Sequence, residues 1–158
     1  MKTQATLTIQ KVTVEQIPDE HTDLSYLGEF TDNPDKMVQR YRIIAHSNDR
    51  RHALYFVADN VENRKQAESN YNRIMRYVNG YVCDYGIKAV ATVLVRAGNH
   101  EHTTTLESGG LWGVPSDDNE GIQETTESQL SELKDLLKAF GFTTRSINSA
   151  LRKVEGAR

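Results

Sequence analysis

The chain has 158 residues, 26 % of them charged, and a net charge of −3, which suits a single domain over residues 1–158 that needs no disulfide or metal to hold its core. Its charge balance sets up no field that would draw the protein to nucleic acid or a membrane, and its one cysteine, Cys83, excludes an internal disulfide and fits a reducing cytoplasm. No apolar run approaches the roughly eighteen residues a membrane helix needs, and Met1-Lys2-Thr3-Gln4 opens no apolar signal segment, so neither spanning nor secretion is expected.

Residues 5–14 alternate with period two: Leu7 and Ile9 share one face, and Val12 and Val14 share a face after a slip at Gln10-Lys11. A strand with a bulge is predicted there, ended by Pro18. Residues 19–39 read as irregular, with a turn at 32–35 and with Leu24, Tyr26, Leu27 and Phe30 anchoring the loop to the core. Residues 41–45 and 53–57 read as two strands joined by a hairpin loop at 47–51. Asn60 or Asn63 caps a helix to about Val78, whose stripe is Ala67, Tyr71, Ile74, Met75 and Val78, and Asn79-Gly80 stops it.

Residues 87–95 are apolar and β-branched, as in a central strand. A hairpin turn at 97–100 returns the chain through residues 102–107. Beyond the Ser108-Gly109-Gly110 corner, Ser116 or Asp117 caps a second helix with the stripe Ile122, Thr126, Leu130, Leu133, Leu137 and Phe140. Gly141 follows it at the C′ position. Thr143 or Thr144 caps a short last helix bearing Ile147, Ala150, Leu151 and Val154. The class expected is α+β: an antiparallel sheet of four to five strands, two amphipathic helices on one face, and a short C-terminal helix.

The corner Gly109-Gly110-Leu111-Trp112-Gly113 holds the only tryptophan and three of ten glycines. One reading makes it a tight turn whose Trp112 plugs the core beside the second helix. The other makes it a rigid loop that presents Leu111 and Trp112 to a protein partner. No P-loop lysine follows the glycines, so a phosphate cradle is not indicated.

From Glu101 to Asp135 there are nine acids against one base, Lys134. Five of them, Asp117, Asp118, Glu120, Glu124 and Glu127, meet no local base, which marks a solvated helix face or a patch for a basic partner. The alternative is a nucleic-acid contact through Arg40, Arg42, Arg50 and Arg51, with Lys36 nearby and tyrosines around it. A third reading is a small metal-dependent hydrolase or nuclease built on His100, Glu101, His102 and an acid of the second helix. No third histidine or cysteine stands at ligand spacing, so no metal and no cofactor is expected. Cys83 reads as a half-buried structural thiol.

Four segments together carry a resemblance: Leu24-Ser25-Tyr26-Leu27-Gly28-Glu29-Phe30, the tyrosine-rich first helix, Asp84-Tyr85-Gly86-Ile87-Lys88-Ala89, and Ser108-Gly109-Gly110-Leu111-Trp112-Gly113 with its Ser116-Asp117-Asp118 tail. Over residues 20–142 the chain resembles a family of small uncharacterised proteins carried by bacteriophages, prophages and plasmids. The resemblance implies a mobile-element setting; small proteins of that setting often bind a host factor, as anti-restriction and anti-CRISPR proteins do, and a non-catalytic binder that modulates or inhibits a host protein is the leading expectation. Leu111, Trp112 and the acids at 117, 118, 120, 124 and 127 are the candidate contacts.

Overall fold

A computed structural model describes residues 5–32, 42–44 and 55–154. In chain order the elements are β1 (Thr6–Asp19), a single 3-10 turn (Ser25–Leu27), β2 (Gly28–Thr31), β3 (Arg42–Ile44), β4 (Tyr55–Ala58), α1 (Arg64–Val78), β5 (Asp84–Ala97), β6 (His100–Glu107), β7 (Leu111–Pro115), α2 (Asn119–Ala139) and α3 (Thr144–Leu151). The class is α+β, with an antiparallel sheet of four strands, a second sheet of three, and a short last helix. The chain divides into two compact units, Met1–Glu20 with Asp84–Arg158, and His21–Cys83.

In the first unit β5 is central. It pairs with β1 along one edge and with β6 and then β7 along the other, all antiparallel. The predicted slip in β1 is a bulge at Gln10, where the register shifts between Ile9 and Lys11. Pro18 does not end the strand; it lies inside β1, opposite Tyr85. An edge strand tolerates it, because its missing N–H can face away from the ladder. The β5–β6 hairpin closes at Ala97 and His100, with Gly98 at φ 62°, a turn conformation glycine adopts without strain.

Alternation along β5 sends Ile87, Ala89 and Ala91 to one face and Gly86, Lys88 and Val90 to the other. α2 and α3 cover the first face. Val12, Ala89, Ala91, Leu133, Leu137 and Ile147 form its core, and the alanines let the helices approach closely. The three large side chains of the helices, fully buried, contribute about 1.5–3 kcal/mol each. The cap of α2 is Asp118, one residue beyond those expected, and its carboxylate accepts from Gly121 N at 2.9 Å. Ser116 and Asp117 stay outside because β7 continues to Pro115. Phe140 is 52 % exposed rather than buried. As the C-cap residue it stands where the helix face no longer opposes the sheet, and Phe142 takes its place against the core. Thr143 caps α3, accepting from Ser146 N.

In the second unit the sheet order is β2-β4-β3, with α1 against it. Each amphipathic helix therefore serves its own sheet: α1 this one, α2 the four-stranded one. The predicted α1 stripe is the buried face, and Asn63 is its cap, accepting from Gln66 N at 3.0 Å. Phe30, Phe56 and Tyr71 pack as three tilted rings with centroids 5.2–6.3 Å apart, and each such pair adds about 0.5–1.5 kcal/mol beyond its buried area. Within the stretch expected to be irregular, residues 28–31 form β2, four residues paired with β4. Tyr26 is 59 % exposed and does not anchor it, whereas Leu27 is buried. All of the turn at 32–35 but Asp32, and the hairpin loop at 47–51, lie outside the described residues.

Candidate functional site

Ser108-Gly109-Gly110 turns no corner between separate layers. It joins two strands that continue along the same edge of β5, so β6 and β7 form one line interrupted twice. Between Glu107 and Leu111 four steps oppose three on β5, Val90 to Ile87. Between Leu111 and Val114 three steps oppose two, Ile87 to Tyr85. Each surplus residue falls beside a glycine in the left-handed region, Gly110 and Gly113, both at φ 79°. That is the geometry of a bulge whose first residue is glycine.

The first bulge is pinned from both sides. Ser108, buried, donates its N–H to Ala89 O at 2.9 Å, and its Oγ accepts from Ala89 N at 2.9 Å. From α2, Gln129 Oε1 accepts from Gly110 N at 2.9 Å and Glu132 Oε1 from Gly109 N at 2.8 Å. Gln129 is 6 % exposed, so its amide is held in place by packing as well as by this bond.

The expectation that Trp112 plugs the core beside α2 is not met: Trp112 is 53 % exposed. Its indole lies over Gly86 of β5, with Cδ2 and Cζ3 2.5 Å from where a Cβ on Gly86 would stand. Gly86 belongs to the face of β5 opposite Ile87 and Ala89, so the indole sits across the sheet from α2. Two bulges in three residues overturn simple alternation, which is why a position next to a helix start ends up on the far face. Leu111 stands opposite Ile87 in register and is 51 % exposed. The buried anchor of β7 is Val114, packed with Val14 and Ile87.

The acids divide by role. Asp118 is committed to capping α2. Glu127 accepts from Gln123 Nε2 at 3.1 Å. Asp117, Glu120 and Glu124 are exposed, and Glu120 and Glu124 have no hydrogen-bond or ion-pair partner among the described residues. α2 covers the face of the sheet that Trp112 does not, so the indole and the acids of α2 form two surfaces rather than one.

The remaining candidates gain less. Arg40, Arg50 and Arg51 lie outside the described residues, and of Arg42 only the backbone pairing with Val57 is described. On α1, Arg64 is paired with Glu68 at 2.8 Å and Arg73 lies 5.2 Å from the centroid of the Tyr77 ring. His100 and His102 are exposed on β6, and Glu101 between them points to the other face, where it binds Arg96 at 2.6 Å. Among the described residues no three His, Cys, Asp or Glu side chains group as metal ligands. Cys83 is exposed, not half-buried; it directly precedes β5. A cleft of about 460 Å³ between β1 and α3 is lined by Leu7, Ile9, Phe142, Ser149, Ala150 and Lys153 among others, with no carboxylate or imidazole to perform acid–base chemistry.

Lys88 stands on the indole's face of β5. Its ammonium donates to Glu107 Oε2 at 2.8 Å and lies 3.4 Å from Glu15 Oε2. The hydrogen bond to Glu107, more than partial burial or Glu15, sets the balance and raises its pKa above the usual lysine value. No helix among the described residues is long and apolar enough to cross a membrane. No family model, no curated protein and no solved structure matches this chain.

Proposed function

We propose that this chain is a non-catalytic mobile-element protein that works in the cytoplasm by binding a host protein and modulating or inhibiting it, as anti-restriction and anti-CRISPR proteins do. The observation that carries the binding role is Trp112. It is half exposed, yet its backbone is fixed by two glycine bulges and its ring by Gly86. A large aromatic side chain already held in one pose loses little entropy on contact, and tryptophan is enriched among the residues that dominate interface energy. Its indole N–H has no partner among the described residues and can donate to one. Leu111, exposed and opposite Ile87 in register, offers a second apolar contact on the α2 side, where the exposed acids Asp117, Glu120, Glu124 and Glu127 steer a basic partner. The mobile-element context rests on the resemblance of residues 20–142.

Affinity capture from host lysate with wild type, Trp112→Ala and a Glu120→Gln, Glu124→Gln, Glu127→Gln triple variant tests this. A partner retained by wild type should be lost with Trp112→Ala at unchanged circular dichroism. The triple variant should associate more slowly at low salt only. Equal capture by the folded Trp112→Ala variant would remove the tryptophan from the interface. Salt-dependent binding of DNA or RNA by all three would favour the nucleic-acid alternative.

A further inference from the structure

The two edges of the four-stranded sheet are built differently. β1 carries a bulge at Gln10 and Pro18 within its length. β7 is broken by the bulges at Gly110 and Gly113. Such devices keep an edge from recruiting another strand. β6, by contrast, runs eight residues in unbroken register against Val90–Ala97 and has no proline, lysine or bulge. Every β6 residue but Leu106 is exposed.

The hydrogen bond from Ser108 N to Ala89 O fixes which way each β6 residue turns its main chain. Antiparallel ladders alternate. Residues 100, 102, 104 and 106 therefore face β5, and Glu101, Thr103, Thr105 and Glu107 turn their N–H and C=O groups outward. The same parity puts Pro18 at a position that owes β5 no hydrogen bond, as proline requires. The two acids of β6 do not charge its edge. Glu101 is neutralised by Arg96 and Glu107 by Lys88, at 2.6 and 2.8 Å.

We propose that β6 pairs antiparallel with β6 of a second copy of this chain, about a two-fold axis at Thr103, to make one continuous eight-stranded sheet. Outward residues must oppose outward residues, which limits the register to a few choices. With the axis at Thr103, that residue meets the partner's Thr103, His102 meets the partner's Thr104, and Glu101 meets the partner's Thr105. No like charges face each other, and a Thr103 pair fills the centre, a favourable cross-strand combination. Moving the axis to Thr104 sets Glu101 against the partner's Glu107 twice, by symmetry. Moving it to His102 sets two imidazoles together and shortens the ladder.

Sedimentation equilibrium of the full chain should read twice 17.9 kDa at high concentration and fall to 17.9 kDa on dilution. Thr103→Pro removes an outward N–H at an edge position of the kind Pro18 occupies, so it should fold, as circular dichroism would report, and remain monomeric. On a Cys83→Ser background, Thr103→Cys should oxidise to a disulfide-linked dimer, because hydrogen-bonded partners lie about 5.5 Å apart at Cα, within disulfide reach. Thr105→Cys should not, since four residues of offset separate the two copies by about 14 Å. A monomer at every concentration, a dimer that survives in folded Thr103→Pro, or equal cross-linking at Thr105 would each overturn the proposal. Should Thr103→Pro fail to fold, the cysteine pair decides alone.

Discussion

Trp112 occupies the volume that a side chain at Gly86 would fill: indole Cδ2 and Cζ3 come within 2.5 Å of a Cβ built there. The glycine weakens β5 locally, and the aromatic ring from the neighbouring strand covers the gap, as cross-strand aromatics do for sheet glycines. Gly86→Ala should displace the ring and cost about 1–3 kcal/mol, the usual penalty of overpacking. The single tryptophan makes this direct to read. Its emission should shift to the red while the urea midpoint falls. An unchanged spectrum with an unchanged midpoint would show that the ring is not held there.

Gln129 is the buried half of the clamp on Gly110. Gln129→Ala should leave that amide without its acceptor at a half-buried position and cost about 1–2 kcal/mol. Hydrogen exchange at the Gly110 amide should quicken. Glu132→Ala, beside the exposed Gly109, should cost less, because water can replace the carboxylate. Equal exchange rates in both variants would contradict the clamp.

Thr126 is 6 % exposed, and its Oγ1 has no hydrogen-bond partner among the described residues. A buried hydroxyl without a partner is destabilising by about 1–3 kcal/mol. Thr126→Val keeps the shape and removes that group, so it should raise stability by about 1 kcal/mol. A loss of stability on thermal or urea melting would show that the hydroxyl is satisfied, for example by water.

Lys88 binds its proton more tightly in the folded chain than in the unfolded one, mainly through Glu107 and secondarily through Glu15. The folded state therefore keeps the proton at pH values where the unfolded state has released it, so stability from this site falls as pH rises. The contribution is complete below the ordinary lysine value of 10.5 and disappears as pH climbs through the raised folded value. Lys88→Met should cost about 1 kcal/mol at neutral pH, for a partly exposed pair of contacts. The gap between wild type and variant in urea midpoint should close above pH about 10.5. A gap that stays constant to the alkaline limit would remove the ion pair as its cause.

Features set by neighbours in sequence were legible before any coordinates. The α1 stripe, the Asn63 and Thr143 caps, the Gln10 slip and the Gly98 hairpin all follow from side chains a few positions apart. What escaped depends on partners far along the chain. β2 is too short to show alternation and exists because β4 pairs with it. Pro18 is tolerated only because β1 is an edge, which nothing near it reveals. The core reading of Trp112 rests on its place between glycines before a helix, and no local signal names Gly86 as its counterpart. Of the candidate site, the exposure of Glu120, Glu124 and Glu127 was legible from helical spacing. Their separation from Trp112 was not, because it needs the parity of β5 and the two bulges together.

The strand ladder from Thr6↔Arg96 to Asp19↔Asp84 joins the two ends of the first unit across the whole of His21–Cys83. During synthesis β1 leaves the ribosome long before β5, its one strand partner among the described residues, whereas each described strand of the second unit finds its neighbour within that segment. Closing so long a loop carries an entropic cost that local contacts avoid, and it slows folding. The second unit should thus be complete in time before the first begins. A nascent chain stalled once Cys83 has cleared the ribosome, with β5 still inside it, would carry a protected three-stranded sheet and a protease-sensitive N-terminal tail. Release past β5 would protect that tail in one step.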